Sequence, residues 1–380
     1  MGFFNRRREQ NGTLPVAAEK HGRRHHGVQR EPYSMSSRPT FGQWLKGTWL
    51  DILTMVILGA IGLGVYYAPP APSRSFAVKF SDGEVVYPQF AYPSRKEIIP
   101  IWLAAFLASV IPIFIMLCMQ FRIRSFWDFN NAVVGLLYSL ITAAVFQVFV
   151  KWLIGGLRPH FLDVCKPDIT RLTRGTNGSG GFDGLYYTRE ICTGDRKLIN
   201  DALESMPSGH STAAFAGLVF LYLYLNAKLK VFSNYHPSMW KLAVTYMPLL
   251  GACLIAGALT IDEFHHWYDL LAGAIIGTIM AFSAYRMTYA AVWDWRYNHI
   301  PLSRQAPFMY ARDWDLNGPT FTRKAGWGGH EHAMQGNGAS NGYDQNGHGV
   351  APVGSGANMP RGVPPTAAPR GHGVRGDNMV

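Results

Sequence analysis

Six apolar stretches, each approaching the roughly 20 residues that carry a helix across a bilayer, constrain this chain more than any other feature. They fall at about 48–68, 99–120, 131–150, 209–226, 242–261 and 269–292 of the 380 residues. A soluble reading of that length would predict two or three domains; the apolar runs replace it with an all-α, polytopic membrane protein of six transmembrane helices, since only helices and closed barrels satisfy their own backbone in lipid. The fourth run is the shortest and reaches spanning length only when started at Pro207-Ser208-Gly209-His210. Residues 1–40 are basic and polar with no apolar core, so insertion is expected to begin at the first span and not at a cleaved leader.

Charge gives an orientation. Arg6, Arg7, Arg8, Lys20, Arg23, Arg24 and Arg30 precede the first span; Arg122, Arg124, Lys228, Lys230, Lys241, Arg286 and Arg296 flank spans on that same side. The positive-inside rule then puts both termini in the cytosol, with 69–98, 151–208 and 262–268 facing the lumen or exterior. The net charge of +11 is thereby a topology signal, and a nucleic-acid partner is not implied. We expect a disordered basic tail over 1–44, a membrane domain over 45–295, and a second cytosolic tail over 296–380. That tail turns to low-complexity Gly, Asn, His and Pro from about 326.

The four cysteines divide by side. Cys118 and Cys253 lie in spans as packing residues. Cys165 and Cys192 share the long outer loop, where oxidising conditions permit a disulfide, two free thiols being the alternative. The same loop carries Asn177-Gly178-Ser179, a glycosylation sequon on the permitted side; Asn11 matches on the forbidden one. Phe76–Phe80 and Val85–Tyr87 are expected as short extended pieces of the first outer loop.

Three polar stretches break this apolar background, all on the outer side. Lys151 and Arg158 are seven residues apart, so a helix continuing to Pro159 would put both on one face as an anion clamp; snorkelling cations are the bland reading. Ser208 is an N-cap candidate, and the peptide N–H groups around Gly209 would form an anion site at the helix start. His210, in the same turn, could give a proton to a departing oxygen. His265 and Asp269, four apart, share a face if helical, and the carboxylate would fix the imidazole's tautomer. Asp262, His265, His266 and Asp269 form a rival zinc set, which Lys151 and Arg158 would repel. Gly273 and Gly277 have the small-residue spacing of a tight helix contact.

Together these stretches resemble the type 2 phosphatidic acid phosphatases, or lipid phosphate phosphatases, of the acid phosphatase and vanadium haloperoxidase superfamily. That family's pattern is K-x6-R-P, then P-S-G-H, then S-R-x5-H-x3-D. The chain reads Lys151-x6-Arg158-Pro159, then Pro207-Ser208-Gly209-His210, then His265-x3-Asp269. Arg158 to Cys165 also looks like the fungal diacylglycerol pyrophosphate phosphatases. The resemblance implies His265 as the nucleophile of a phosphohistidine intermediate, Asp269 as its orienting carboxylate, and His210 as acid and then base. It implies Lys151, Arg158, Ser208 and Gly209 as the phosphate site, no metal or other cofactor, and a membrane lipid as substrate. One position departs: the family's Ser-Arg falls on Ala258-Leu259, while Asp262, His266 and Trp267 keep the register. Arg171, Arg174, Arg189, Arg196 and Lys197 are candidate replacements. A catalytically silent relative that binds phosphorylated lipid or acts as a membrane scaffold is the alternative reading.

Overall fold

A computed structural model of the chain describes residues 38–71, 75–79, 82–171, 185–304, 307–308, 310 and 320–322. All of them lie in one unit, Met1–Ala333. Asn11, Asn177 and Arg174 lie outside the described residues, as does the side chain of Arg171. Among the described residues six helices are long and apolar enough to cross a membrane: α1 (Phe41–Tyr66), α2 (Ile101–Ile123), α3 (Phe126–Ile154), α6 (Gly209–Leu229), α7 (Met239–Ile261) and α8 (Trp267–Thr288). Among the described residues there are also two short helices, α4 (Phe161–Cys165) and α5 (Arg196–Ala202), three single turns of 3-10 helix and one two-stranded antiparallel pair. The pair joins β1 (Phe76–Ala77) to β2 (Tyr186–Tyr187), with Phe76 opposite Tyr187. This is an all-α, multi-pass membrane protein.

Helix α6 is the axis of the bundle, contacting α2, α3, α7 and α8. Every residue from Ala216 to Val231 is buried, which explains how the least apolar of the six spans can cross a bilayer. Its polar side chains meet protein, not lipid. Large apolar side chains of α1, α2 and α7, such as Val56, Phe114 and Leu254, point outward instead. Near one end of α6, Lys228 lies 2.5 Å from Asp128 of α3, both fully buried. Tyr224 and Tyr289 donate hydroxyl hydrogen bonds to the same carboxylate at 3.0 and 3.1 Å, so the desolvated charges are paired and hydrogen-bonded.

At the other end of α6 two chain segments are stitched together. A Cβ on Gly277 of α8 would lie 2.5 Å from the Thr212 carbonyl, and one on Gly273 2.6 Å from that of Ser208. Their lack of side chains lets α8 touch the backbone of α6. The Ser208 N–H donates to the Asp269 carbonyl at 3.1 Å, and Ser211 Oγ to that of Leu270 at 2.7 Å. The starts of α6 and α8 are thereby held in register, beside the end of α3.

Over that end lies a folded layer with its own apolar core, in which Phe76 and Val78 meet Phe161, Val164, Ile191 and Leu203. Cys165 and Cys192 form a disulfide across 27 residues. Chain-entropy arguments assign a loop of this length about 3–4 kcal/mol. Replacing both cysteines by serine is therefore expected to lower the denaturant midpoint of the detergent-solubilised protein, and reductant to do the same to the parent. An unchanged midpoint would show that the layer's packing alone carries its stability. Beyond α8 the chain stays packed: Tyr285 donates to the Asn298 carbonyl at 2.8 Å and Lys228 to that of His299 at 2.8 Å.

Candidate active site

Lys151 sits in the last turn of α3. The helix stops at Ile154 and does not continue to Pro159, so the expectation of Lys151 and Arg158 on one helical face is corrected. The cause is local: Gly155 and Gly156 take φ values of +51° and +108°, a region that side chains disfavour. A Cβ on Gly155 would also lie 2.7 Å from the Leu203 carbonyl. Past this turn Arg158 is placed by tertiary contacts. Its Nη2 donates to Asp201 Oδ1 at 2.7 Å, and its guanidinium stacks 5.3 Å from the centroid of the Phe264 ring. His160 Nδ1 lies 3.0 Å from the Glu263 carbonyl; a carbonyl only accepts, so this nitrogen carries the proton.

Ser208 caps α6, accepting from the Ser211 N–H, and His210 lies in the first helical turn. The backbone N–H groups of Gly209 and His210 have no acceptor among the described residues. Gln147, one turn before Lys151, donates from Nε2 to the Pro207 carbonyl at 2.9 Å, tying α3 to this turn.

His265 is not on a helix with Asp269, which is a second correction. It lies in the turn between α7 and α8, and α8 starts at Trp267. Asp262 organises that turn, accepting from Phe264 N at 3.2 Å and from Ile98 N of the loop between α1 and α2 at 3.1 Å. The pair survives the change of conformation, with His265 Nδ1 3.7 Å from Asp269 Oδ2. The carboxylate is further fixed by Ser205 Oγ, donating at 2.6 Å, and by the His266 N–H at 3.0 Å. Burial, with the charges of Arg158 and Lys151 behind it and against the pull of Asp269, drives the His265 pKa down to about 3. Its imidazole is therefore neutral at physiological pH. The His210 and His265 ring centroids are 6.4 Å apart.

The structure thus brings Lys151, Arg158, Ser208, Gly209, His210, His265 and Asp269 to one end of the bundle. Among the described residues Arg158 Nε, His210 Nε2 and His265 Nδ1 are buried there with no hydrogen-bond partner, and Lys151 forms no ion pair. The unpaired Arg158 and Lys151 N–H groups call for an oxygen-rich ligand. No group of three His, Cys, Asp or Glu side chains among the described residues is placed to hold a metal.

Residues 132–293 match the PAP2 superfamily. A PA-phosphatase related-family protein of Dictyostelium discoideum is 32% identical over 67% of this chain and 72% of its own. The chain belongs to the PAP2 superfamily. Lipid phosphate phosphatase 2 of Arabidopsis thaliana is 32% identical over 65% of this chain and 78% of its own. Diacylglycerol pyrophosphate phosphatase 1 of Saccharomyces cerevisiae is 30% identical over 64% and 80%. No solved structure matches.

Of the replacement cations considered from the sequence, Arg174 and the side chain of Arg171 lie outside the described residues. Arg196 and Lys197 are exposed on α5. Arg95 comes to the turn where the motif's arginine is absent, with Nη1 3.2 Å from the Ile261 carbonyl and Nε 3.6 Å from Glu263. Sequence reasoning passed over Ser205, Asp201 and Gln147. Ser205 and Asp201 lie within nine residues of the Pro-Ser-Gly-His motif, the only signal that could have drawn attention to them. Ser205→Ala removes a charge-assisted hydrogen bond of about 1.5–3 kcal/mol. We expect kcat/KM to fall about tenfold with thermal stability little altered; a variant as active as the parent would deny Ser205 any part in holding Asp269.

Proposed function

We propose that this protein is an integral-membrane lipid phosphate phosphatase that hydrolyses phosphate monoesters of lipids, such as phosphatidate or diacylglycerol pyrophosphate. The observation that carries this reading is the convergence of neutral His265, 3.7 Å from Asp269, with His210, Lys151 and an Arg158 guanidinium that keeps Nε unpaired, at the end of a membrane bundle. Lys151, Arg158, Ser208 and the Gly209 and His210 N–H groups hold the phosphoryl oxygens. His265 Nδ1 faces Asp269, so Nε2 attacks phosphorus, the P–O bond to the lipid breaks, and His210 gives its proton to the departing oxygen. His210 then takes a proton from water; the water oxygen bonds to phosphorus, the P–N bond breaks, and phosphate leaves. Asp269 balances the charge that develops on the His265 ring. The cations and amides supply the electrostatic stabilisation, so added Mg²⁺ is not required.

The positive-inside distribution supports a lumenal or extracellular position for this site, with both chain ends cytosolic. The test is phosphate release from phosphatidate and diacylglycerol pyrophosphate in detergent micelles containing EDTA. Absence of release from every lipid phosphate offered would refute the reading. Leu259, fully buried where the motif has arginine, favours a second one: a silent member that binds phosphorylated lipid saturably without turnover. Trapping phosphate on His265 would exclude it.

A further inference from the structure

A cavity of about 350 Å³ opens between the Gly155–Leu157 turn, the Leu203–Met206 segment and the start of α8, under the first outer loop. Lys151, Arg158, His210 and His265 do not line it, so it is not the phosphate site. Ser205 and Asp269 do, and the two spaces share that wall. Six aromatic residues line it: Phe76, Tyr87, Phe90, Trp152, Tyr186 and Tyr268. Its described lining has two charged groups, Glu204 and Asp269, and neither lysine nor arginine. Asp269 is engaged by Ser205, His266 and His265. Glu204 is half-buried, and its carboxylate makes no hydrogen bond or ion pair among the described residues. Lys151 and Arg158 act on it through space, with no ion pair to either.

We propose that this cavity binds an ammonium group, primary or quaternary, with Glu204 as its counter-ion and the rings as its walls. Aromatic faces attract cations, most strongly when water is excluded, and an unpartnered, partly desolvated carboxylate is costly until a positive charge joins it. A second phosphate would be repelled by Glu204 and Asp269. An acyl chain would leave the Glu204 carboxylate against hydrocarbon. The rim supports the same ligand: Trp152, Leu153 and Ile154 are exposed at the end of α3, and the end of a bilayer-spanning helix comes close to the head groups. The ammonium belongs either to the lipid whose phosphate Lys151 and Arg158 hold, an assignment that rests on the proposed phosphatase reading, or to a neighbouring lipid.

Tetramethylammonium chloride is the probe, titrated calorimetrically into the full chain in dodecyl maltoside, with sodium chloride at equal ionic strength as the control. Saturable binding is expected for the parent, weakened at least tenfold in Glu204→Gln and several-fold in Tyr87→Leu, whose folding is checked by thermal unfolding. Heats equal to the sodium control, or equal affinity in all three proteins, overturn the proposal. Kinetics then separate the sources. If the substrate supplies the ammonium, Glu204→Gln lowers kcat/KM for an amine-bearing lipid phosphate, relative to phosphatidate, about tenfold. If a neighbouring lipid supplies it, that ratio holds, and phosphatidate turnover is faster in phosphatidylcholine than in phosphatidylglycerol vesicles only while Glu204 is present. Either pattern supports the site. Because the titration needs no turnover, a protein that binds the probe and hydrolyses nothing refutes the phosphatase reading and leaves the cavity's role standing.

Discussion

His265→Ala is expected to cut phosphate release from phosphatidate by on the order of 10⁴-fold or more, the scale of loss when a covalent nucleophile is removed. The expectation follows from placement. His265 is the one ring among these histidines that combines burial, an adjacent carboxylate 3.7 Å away and two cations acting on it. Burial holds it neutral down to a pH of about 3, so its lone pair is available throughout the range in which such an enzyme would be assayed. An acid limb above pH 5 would then have to come from the substrate or another group. The fold should tolerate the change, because Asp269 keeps its hydrogen bonds from Ser205 and the His266 N–H. Gel filtration and thermal unfolding would verify that. Rapid quenching with ³²P-labelled substrate supplies the second readout: label on the parent and none on His265→Ala. A variant retaining more than about a tenth of parental turnover would remove His265 from the chemistry, whatever the sequence pattern says.

The helices were legible in the sequence because each is encoded locally, by a continuous apolar run. The two mistaken expectations were also local in origin, since both extended helical periodicity across a turn. A positive φ at Gly155 ends α3 three residues after Lys151, and Glu263, at φ +60°, helps to turn the chain so that His265 precedes α8. Spacing nevertheless singled out side chains that come together, because helix and turn both return the chain to the same end of the bundle. What could not be read were contacts across long separations. Asp128 with Lys228, Arg158 with Asp201 and Ser205 with Asp269 are 100, 43 and 64 residues apart, and none leaves a periodic trace. The aromatic cavity is invisible for the same reason, since its six rings come from four separate stretches of chain.

Leu259→Arg tests the position where the chain departs from its family's pattern. We expect kcat/KM to rise about 10²-fold, the amount one preorganised donor contributes to a transition state, about 3 kcal/mol. Leu259 is fully buried near the end of α7, and its carbonyl accepts the His265 N–H at 3.2 Å. The backbone that carries the nucleophile is thus tied to this residue, and a guanidinium here starts one hydrogen bond from the reacting turn. The substitution is not free of cost. Arginine is larger than leucine, and overpacking a filled site costs about 1–3 kcal/mol, so the variant should be less stable while being faster. Leu259→Met, similar in size to leucine and uncharged, separates the two effects: it should leave turnover near the parent's. The sign of the result then bears on how the present site manages with Lys151 and Arg158. A folded Leu259→Arg protein no faster than the parent would show that this position does not limit turnover, and Arg95, already bonded to the Ile261 carbonyl, becomes the cation to remove. A faster one would mean that the chain holds a complete nucleophile, acid and orienting carboxylate in a phosphate site one donor short.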